Sequence, residues 1–262
     1  MINFNLNNSD AVDFLSRSST VDAALFSLDR EKIEFFKNVV QKYNIDTVLD
    51  IACGKGDVVL LLSKWGKKVT ALEKEPLLLQ ELYARSRLEN LNLDILLGDM
   101  RDISILYKNR CDLVLSLNNS LSKLSTEKDI WGTLAQVFLK LQPGGLVVIH
   151  TLDYERLFKE AVEPVQLLNT SFRGLKAKVF FTLGREGEAP SLVYKIFPDR
   201  LSSSKEEEIV KPVWPVMRKD LNMWLAELGF EKIQNINWHG SEREENNNWD
   251  LITLAFRPSK VC

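Results

Sequence analysis

The residues best suited to ligand chemistry stand in a glycine-rich turn. Residues 47–57 read TVLDIACGKGD, so a short apolar run leads into Gly54 and Gly56. The apolar run predicts a buried strand, and glycine lets the backbone approach a ligand without an intervening side chain. A helix predicted from Val58 begins at this turn, and its first N–H groups and positive dipole end face the same ligand. The pattern therefore predicts a site for a nucleotide-like cofactor.

An acid at the end of the next predicted strand extends this site. Residues 68–72 form that strand, and Glu73 follows it. An acid at the tip of the second strand of a βαβ unit is placed to accept both ribose hydroxyls of a nucleotide-like cofactor. A dinucleotide site would have a third glycine three residues after Gly56, where Val59 stands. Cys53 is expected to contribute its backbone to the turn rather than a thiolate.

The third and fourth predicted strands also end in residues that can bind a ligand. Residues 93–97 lead to Asp99, which could accept a hydrogen bond from adenine, and to Met100, which could pack on the ring. The same aspartate is also typical of a turn or a helix cap. Residues 111–117 open into the small polar sequence Asn-Asn-Ser at 118–120, at the edge where open α/β sheets bind ligands. A solvated loop has a similar composition.

The fifth predicted strand, 146–150, ends at His150. A histidine in this position is more typical of a satisfied core or edge residue than of a catalyst. Asp153 and Tyr154 follow it and are expected to lie on a loop that faces the same edge of the sheet.

Helices and strands that alternate along the chain would position these residues. A helix is predicted from an N-cap at Asp29 to about Tyr43, with Arg30 in its first turn as either a surface cation or a cofactor ligand. Residues 232–238 and 249–256 are predicted to be a final pair of strands. The alternation predicts an α/β fold with a mostly parallel sheet.

Two segments do not follow this alternation. Residues 1–28 are polar and are predicted to be an N-terminal cap, while residues 29–171 and 214–262 form the main domain. Residues 172–213 are predicted to be an antiparallel insertion of about three strands that serves as a lid, since about forty residues bury too little core to fold alone.

Composition excludes several classes of protein. The chain has 262 residues, 45% of them hydrophobic, and a formal net charge of -2, so it shows no basic footprint for nucleic acid. Its three cysteines have unrelated spacings, which favours a reducing compartment. No secretory signal and no apolar run of about 18 residues is evident. We expect a cytoplasmic protein without nucleic-acid, membrane or metal binding; the sequence does not indicate the oligomeric state.

The glycine turn with Glu73 resembles the first two motifs of the class I S-adenosylmethionine-dependent methyltransferases. The likeness runs from about Arg30 to Phe256, and it is closest to the glycine/sarcosine N-methyltransferase type. Three features carry the closer likeness: the sequence Leu-Asn-Asn-Ser at 117–120, the Asp-Tyr pair at 153–154, and the insertion followed by Trp-Pro at 214–215. The resemblance implies a Rossmann-like seven-stranded sheet with an antiparallel last strand and a small antiparallel β insertion.

The resemblance also implies S-adenosylmethionine as the cofactor and a set of residues that bind it: Arg30, Asp50, Ala52, Cys53, Gly54, Gly56, Glu73, Lys74, Asp99, Met100 and Leu117. In the family pattern the methionine part contacts the positions of Ala52 and Gly54, and the Leu117 backbone holds its amino group. Arg30 corresponds to the arginine that pairs with the cofactor carboxylate.

The remaining implied residues face the methyl acceptor. They are Asn119 and Tyr154, as catalytic and substrate-binding residues, and Trp214 in substrate binding. The implied reaction is in-line methyl transfer to a small molecule, at an amine nitrogen. Leu152 stands where enzymes of the glycine type carry an arginine for the substrate carboxylate, so we expect glycine to be a poor substrate.

Other functions remain open at the level of sequence. An NAD-dependent oxidoreductase is disfavoured by the missing third glycine and by the lack of an obvious hydride-site histidine. A non-catalytic cofactor-binding module of the same fold is an alternative, and so is a methyltransferase that acts on a macromolecule. The acidic pI of about 5.9 and the predicted lid favour a small acceptor.

Overall fold

The computed structural model describes residues 27–160, 164–172, 175–183, 189–197, 207–241 and 249–259. Almost all of the predicted N-terminal cap, and most of the segment 239–248 between the two predicted final strands, lie outside the described residues. The protein divides into two compact units. The larger contains the described parts of 28–153 and 216–262, and the smaller contains the described parts of 154–215.

The elements follow one another along the chain in the expected alternation. In order they are α1 (Arg30–Lys42), β1 (Thr47–Ile51), α2 (Asp57–Lys64), β2 (Lys68–Glu73), α3 (Pro76–Leu88), β3 (Asp94–Leu97), a 3-10 turn (Met100–Asp102), α4 (Ile103–Leu106), β4 (Cys111–Ser116), a second 3-10 turn (Leu121–Lys123), α5 (Glu127–Lys140), β5 (Leu141–Leu152), α6 (Tyr154–Glu160), β6 (Val165–Phe172), β7 (Leu175–Thr182), β8 (Ser191–Phe197), β9 (Glu207–Pro212), α7 (Arg218–Glu227), β10 (Glu231–Ile236) and β11 (Asp250–Phe256).

The larger unit is built on a seven-stranded sheet in the order β10-β11-β5-β4-β1-β2-β3. β1 pairs in parallel with β2 and β4, whereas β11 runs antiparallel to both β5 and β10. This arrangement confirms the predicted Rossmann-like sheet with a reversed last strand. The strand order changes direction between β1 and β4, and ligands of open α/β sheets bind outside the carboxyl ends of the strands at such a point.

Apolar side chains cover both faces of this sheet. Along β1, Val48 joins the core on one face, while Leu49 and Ile51 join the core on the other. In β4, Leu113 and Val114 divide in the same way. A strand buried on both faces reads as a continuous apolar run, which explains the run seen in the sequence.

The first helix begins where its cap predicts. The Asp29 carboxylate accepts the Lys32 N–H at 3.0 Å, so one of the helix's unpaired donors is satisfied. α1 buries Phe35 and Phe36, while Ile33 is only partly buried. Among the described helices, none is both long and apolar enough to cross a lipid bilayer.

The fifth strand begins earlier than the predicted residue 146. Residues 143–145, Pro-Gly-Gly, belong to β5, whose register against β4 shifts between Cys111 and Leu113. Gly144 has a φ of +81° and its N–H donates to the Arg257 carbonyl at 3.0 Å. A Cβ at Gly145 would lie 2.9 Å from a backbone oxygen, so the glycines form an irregularity within the strand and not a break before it.

The smaller unit contains a four-stranded antiparallel sheet in the order β6-β7-β8-β9. The sequence predicted about three strands from residue 172, but the first strand already begins at Val165. α6 occupies residues 154–160, where a loop was expected after β5. The alternation of polar and apolar residues in β6 is too weak to predict a strand from the sequence. This segment is a strand because it pairs with β7.

Candidate functional site

A turn with three left-handed residues leaves the carboxyl end of β1. Ala52, Gly54 and Gly56 have φ angles of 58°, 58° and 72°. The turn is closed by a hydrogen bond of 3.0 Å from the Gly56 N–H to the Cys53 carbonyl. The Cys53 N–H donates to the Leu72 carbonyl of β2 at 3.0 Å, so the turn is tied to the neighbouring strand. α2 then begins at Asp57, as the sequence predicted to within one residue.

The two glycines of the turn differ in what surrounds them. A Cβ at Gly56 would collide with the side chain of Leu82 on α3, so this glycine is required for helix packing as well as for its φ angle. A Cβ at Gly54 would meet no described atom within 4 Å. Close approach of a ligand to the backbone, which the sequence predicted for both, is therefore supported at Gly54 alone.

Glu73 is held across the mouth of this turn. Its carboxylate accepts backbone N–H groups from Gly54 at 2.9 Å, Lys74 at 2.9 Å and Glu75 at 3.1 Å. The side chain is almost completely buried. Three of the about four lone-pair positions of a carboxylate are thereby used, so its orientation is set within the protein. Lys74 contributes its backbone here, while its side chain is exposed.

Asp50 is a buried acid whose Oδ1 has no hydrogen-bond partner among the described residues. Burial, and secondly the negative charge of Glu73, raise the pKa of Asp50 well above its usual value. A positively charged ligand group beside it would supply the missing partner and favour the carboxylate. Burial and these two acids also raise the pKa of the Cys53 thiol, which agrees with its expected backbone role.

Side chains of α3 hold the turn from the other side. The Arg85 guanidinium donates to the Lys55 carbonyl at 2.9 Å and to the Asp57 carboxylate at 2.6 Å. The Lys55 ammonium lies 3.2 Å from the Glu81 carboxylate. Sequence reasoning missed these contacts, because no motif links a turn to charged residues about thirty positions later.

Asp99 and Met100 are already engaged within the protein. Asp99 caps the 3-10 turn and forms two further hydrogen bonds of 3.0 Å with the Arg101 guanidinium, which holds the pKa of the acid below its usual value. Met100 lies in the core on one face of the sheet. Asp99 therefore acts as a cap, which was the alternative interpretation of its position. Its binding of adenine remains a prediction.

The loop after β4 lies beside the glycine turn, because Ile51 and Ser116 are paired in register. Asn118 and Asn119 have φ angles of 55° and 58°, two consecutive left-handed residues. Asn119 is buried, and its Oδ1 accepts the Leu152 N–H at 3.2 Å and the Ser122 hydroxyl at 2.8 Å. Both lone pairs of this oxygen are therefore used inside the protein.

A buried histidine supports this loop. His150 accepts the Asn118 N–H on Nδ1 at 3.1 Å, and its Nε2 lies 3.0 Å from Asp250 Oδ1. The Trp238 indole donates to Asp250 Oδ2 at 2.8 Å. His150 is thus a core residue, as expected, although the 3.0 Å contact of its Nε2 with Asp250 lacks hydrogen-bond geometry. Asp250 and Trp238 were not identified from the sequence, because their contact depends on the pairing of β10 with β11 and no motif joins the two residues.

The remaining residues that were predicted to bind the cofactor or the acceptor differ in their exposure to solvent. Arg30 is exposed on the first turn of α1, and Leu117 is buried at the end of β4. Asp153 is buried and donates its N–H to the Trp249 carbonyl at 2.7 Å. Within the smaller unit, Tyr154 is 1% exposed with its ring 5.8 Å from that of Phe181, while Trp214 is 39% exposed.

Comparison with known proteins gives a consistent result. A model described as a methyltransferase domain matches residues 48–145. The glycine/sarcosine N-methyltransferase of Parasynechococcus marenigrum is 25% identical over 126 residues, which are 48% of this chain and 45% of that protein. The chain spans about half the length of the curated relatives that it matches.

Two solved structures share the fold. An S-adenosylmethionine-dependent methyltransferase from Clostridium acetobutylicum superposes with a TM-score of 0.76 at 16% identity and covers 95% of this chain and 100% of that one. The amino pentose methyltransferase CalS10 from Micromonospora echinaspora, solved with S-adenosylmethionine bound, gives a TM-score of 0.62 at 18% identity, with 98% and 99% covered.

Proposed function

We propose that the chain is a class I S-adenosylmethionine-dependent methyltransferase that methylates an amine nitrogen of a small molecule. The observation that carries the proposal is the environment of Gly54. Space is open in front of this residue, its N–H is tied to the buried Glu73, and the buried Asp50 lacks a partner for one oxygen among the described residues.

These residues fit the cofactor. Glu73 would accept one ribose hydroxyl at its remaining lone-pair position, and Asp50 would pair with the α-ammonium group, because burying that acid without a partner is costly. The open space at Gly54 suits the methionine chain. Arg30 is proposed for the cofactor carboxylate, and the Leu117 backbone for its amino group.

Positioning is the main contribution of the chain to the reaction. S-adenosylmethionine supplies, when bound, a methyl group on a sulfonium centre whose leaving group is neutral. An unprotonated amine needs no strong base to attack such a group, so the protein has to orient the amine and exclude water. Orientation of this kind can contribute roughly 7–11 kcal/mol to lowering the barrier.

Asn119 is proposed to line the acceptor site as a positioning residue. Its Oδ1 is occupied by the Ser122 hydroxyl and the Leu152 N–H, so this oxygen does not receive a proton from the amine. The two bonds hold the loop after β4 in one conformation. Tyr154 and Trp214 are proposed for the acceptor side because aromatic rings attract cationic groups.

The proposal that the acceptor is an amine is supported by the names of the curated relatives, which are glycine/sarcosine N-methyltransferases. Leu152 favours an acceptor other than glycine, since it is buried, uncharged and bonded to Asn119 through its N–H. An amine with no carboxylate, or one held elsewhere, would not require the missing arginine.

The experiment that tests the function uses the purified protein and a metabolite extract. The mixture is incubated with S-adenosylmethionine that carries an isotope-labelled methyl group, and mass spectrometry identifies labelled small molecules. We expect a labelled N-methyl product that is absent without the protein. A label found only on macromolecules would contradict the small-molecule acceptor, and no label at all would favour a non-catalytic module.

A further inference from the structure

We propose that His150, oriented by Asp250, is a positioning residue that holds the Asn118–Asn119 loop in its ligand-binding conformation. The inference rests on the proposed function insofar as this loop borders the cofactor and the acceptor. It concerns residues of the larger unit alone.

The backbone conformation of this loop has to be stabilised by contacts from outside the loop. Asn118 and Asn119 have φ angles of 55° and 58°, and side chains other than glycine rarely occupy this region in succession. Asparagine tolerates the conformation better than most residues, but it does not favour it over an extended one. Something outside the loop must therefore select this conformation.

Residues at the end of β5 stabilise the loop through three hydrogen bonds. The Asn118 N–H donates to His150 Nδ1 at 3.1 Å, the Asn119 N–H donates to the His150 carbonyl at 3.1 Å, and the Leu152 N–H donates to Asn119 Oδ1 at 3.2 Å. Only the first of these three bonds is accepted by a side chain of β5, that of His150. It replaces the sheet partner that the Asn118 N–H loses where β4 ends at Ser116.

The opposite side of the imidazole determines its tautomer. Because Nδ1 accepts the Asn118 N–H, the proton of the neutral ring is on Nε2, which lies 3.0 Å from Asp250 Oδ1 without forming an aligned hydrogen bond. Asp250 is itself oriented by the Trp238 indole at 2.8 Å. A carboxylate that fixes the ring and tautomer of a histidine is the same device that orients histidines in catalytic and metal sites.

The fold supports this network from α1 as well. The Trp238 ring packs edge-on against Phe35 at 5.2 Å and against His150 at 4.9 Å, and the Lys32 ammonium lies 5.5 Å from its centroid. The network therefore joins α1, β5, β11 and the residues that follow β10 to the loop. His150 is fully buried and both its nitrogens face protein groups, so it acts on the loop and not on the reacting atoms.

Two substitutions distinguish the role of Nδ1 from the role of Nε2. His150→Asn keeps an acceptor oxygen near the position of Nδ1 and loses the group that faces Asp250. His150→Gln keeps a donor near the position of Nε2 and loses the acceptor for Asn118. If His150 positions the loop, the asparagine variant binds S-adenosylhomocysteine within about three-fold of the wild type. The glutamine variant, in which the Asn118 N–H has lost its acceptor on β5, binds about ten- to a hundred-fold more weakly.

Thermal unfolding provides the contrasting readout. The asparagine variant leaves the buried Asp250 without its imidazole partner, so it is expected to be the less stable of the two although it is the better binder. A purely structural histidine would make binding follow stability. Equal binding by the two variants, or weaker binding by the asparagine variant, would overturn the inference.

Nuclear magnetic resonance tests the bond without any substitution at His150. The chain contains two histidines, so a His239→Gln variant assigns the ring nitrogens of His150. We expect an unprotonated Nδ1, a protonated Nε2 and a scalar coupling between Nδ1 and the Asn118 amide nitrogen. A proton on Nδ1 would overturn the inference even if neither variant folds. Wild-type protein that fails to bind S-adenosylhomocysteine would instead overturn the proposed function and the role of the loop in it.

Discussion

At the scale of single residues, the site places two acids of opposite behaviour on the adjacent parallel strands β1 and β2. Glu73 is satisfied by three backbone N–H groups, whereas Asp50 is buried with one oxygen unpartnered among the described residues. A satisfied acid stabilises the fold by itself. An unsatisfied one lowers the stability of the ligand-free protein and is stabilised by a cation.

Asp50→Asn should therefore stabilise the ligand-free protein and weaken the binding of S-adenosylhomocysteine. The pKa of Asp50 is raised in the folded state, so the folded protein binds its proton more tightly than the unfolded chain does. Stability consequently falls as the pH rises from the ordinary pKa of aspartate to the raised value, and it stays low above that window. Thermal unfolding over a pH series should show this fall in the wild type and lose it in the variant.

Asp112 provides a control, because its pKa is shifted in the opposite direction to that of Asp50. Burial works against its charge, but hydrogen bonds from the Thr47 hydroxyl and from the N–H groups of Thr47 and Asp46 outweigh it and lower the pKa of Asp112. Its contribution is present above the ordinary pKa and is lost as the pH falls through the lowered one. Asp112→Asn should destabilise the protein at neutral pH, by about 1 kcal/mol or more, and leave binding unchanged. Stabilisation by this substitution would contradict the argument for both acids.

Substitution of Glu73 by glutamine tests the other acid. The amide can no longer accept all three backbone N–H groups, so we expect S-adenosylhomocysteine to bind about ten- to a hundred-fold more weakly by calorimetry. Glu231→Gln, on an exposed side chain of β10, is the matched control and should bind normally. Unaltered binding by the Glu73 variant would exclude this acid from the site.

At the scale of elements, the glycine turn is held between the sheet and α3. Arg85 bonds to the Lys55 carbonyl and to Asp57, and Leu82 packs against Gly56. A lysine at position 85 has the same charge, but it lacks the planar fork that reaches two acceptors at once.

We therefore expect Arg85→Lys to weaken binding of S-adenosylhomocysteine by about three- to ten-fold through a looser turn, with little change in the unfolding temperature. Arg87→Lys, two residues later on the same helix and exposed, should change neither quantity. If both variants bind alike, α3 does not hold the turn in its binding conformation.

At the scale of the whole molecule, the question is which acceptor the protein selects. Leu152 stands where the resemblance would place an arginine, and burying a carboxylate without a partner costs several kcal/mol. We expect glycine to be methylated much more slowly than neutral or larger amines in a rate assay. Efficient methylation of glycine by the unmodified protein would show that the carboxylate has another partner.

The lid that the sequence predicted from residues 1–28 and 172–213 stays a prediction. We expect hydrogen exchange in these segments to slow when S-adenosylhomocysteine is added, because neither segment has a large core of its own. Unchanged exchange at saturation would count against a lid.

Local patterns in the sequence were enough to predict the strands, the glycine turn and the acid that closes it. Val48, Gly54 and Glu73 lie within two adjacent elements, and a buried parallel strand, a tight turn and a strand tip each have a characteristic composition. The order of the elements also restricts the topology, since parallel strands require crossover helices. The class of fold and the cofactor could be inferred for this reason.

Only the tertiary structure decided which polar groups are satisfied. His150, Trp238 and Asp250 come together across about a hundred residues of chain through the pairing of β5 with β11. In the same way, Gly56 is needed because α3 brings Leu82 against it. Asp50 Oδ1 has no partner in the part of the chain that the structure describes, because the acid is buried in the packed sheet. Burial and hydrogen-bond partners are properties of surfaces brought together by folding, and a sequence pattern contains no distance between them.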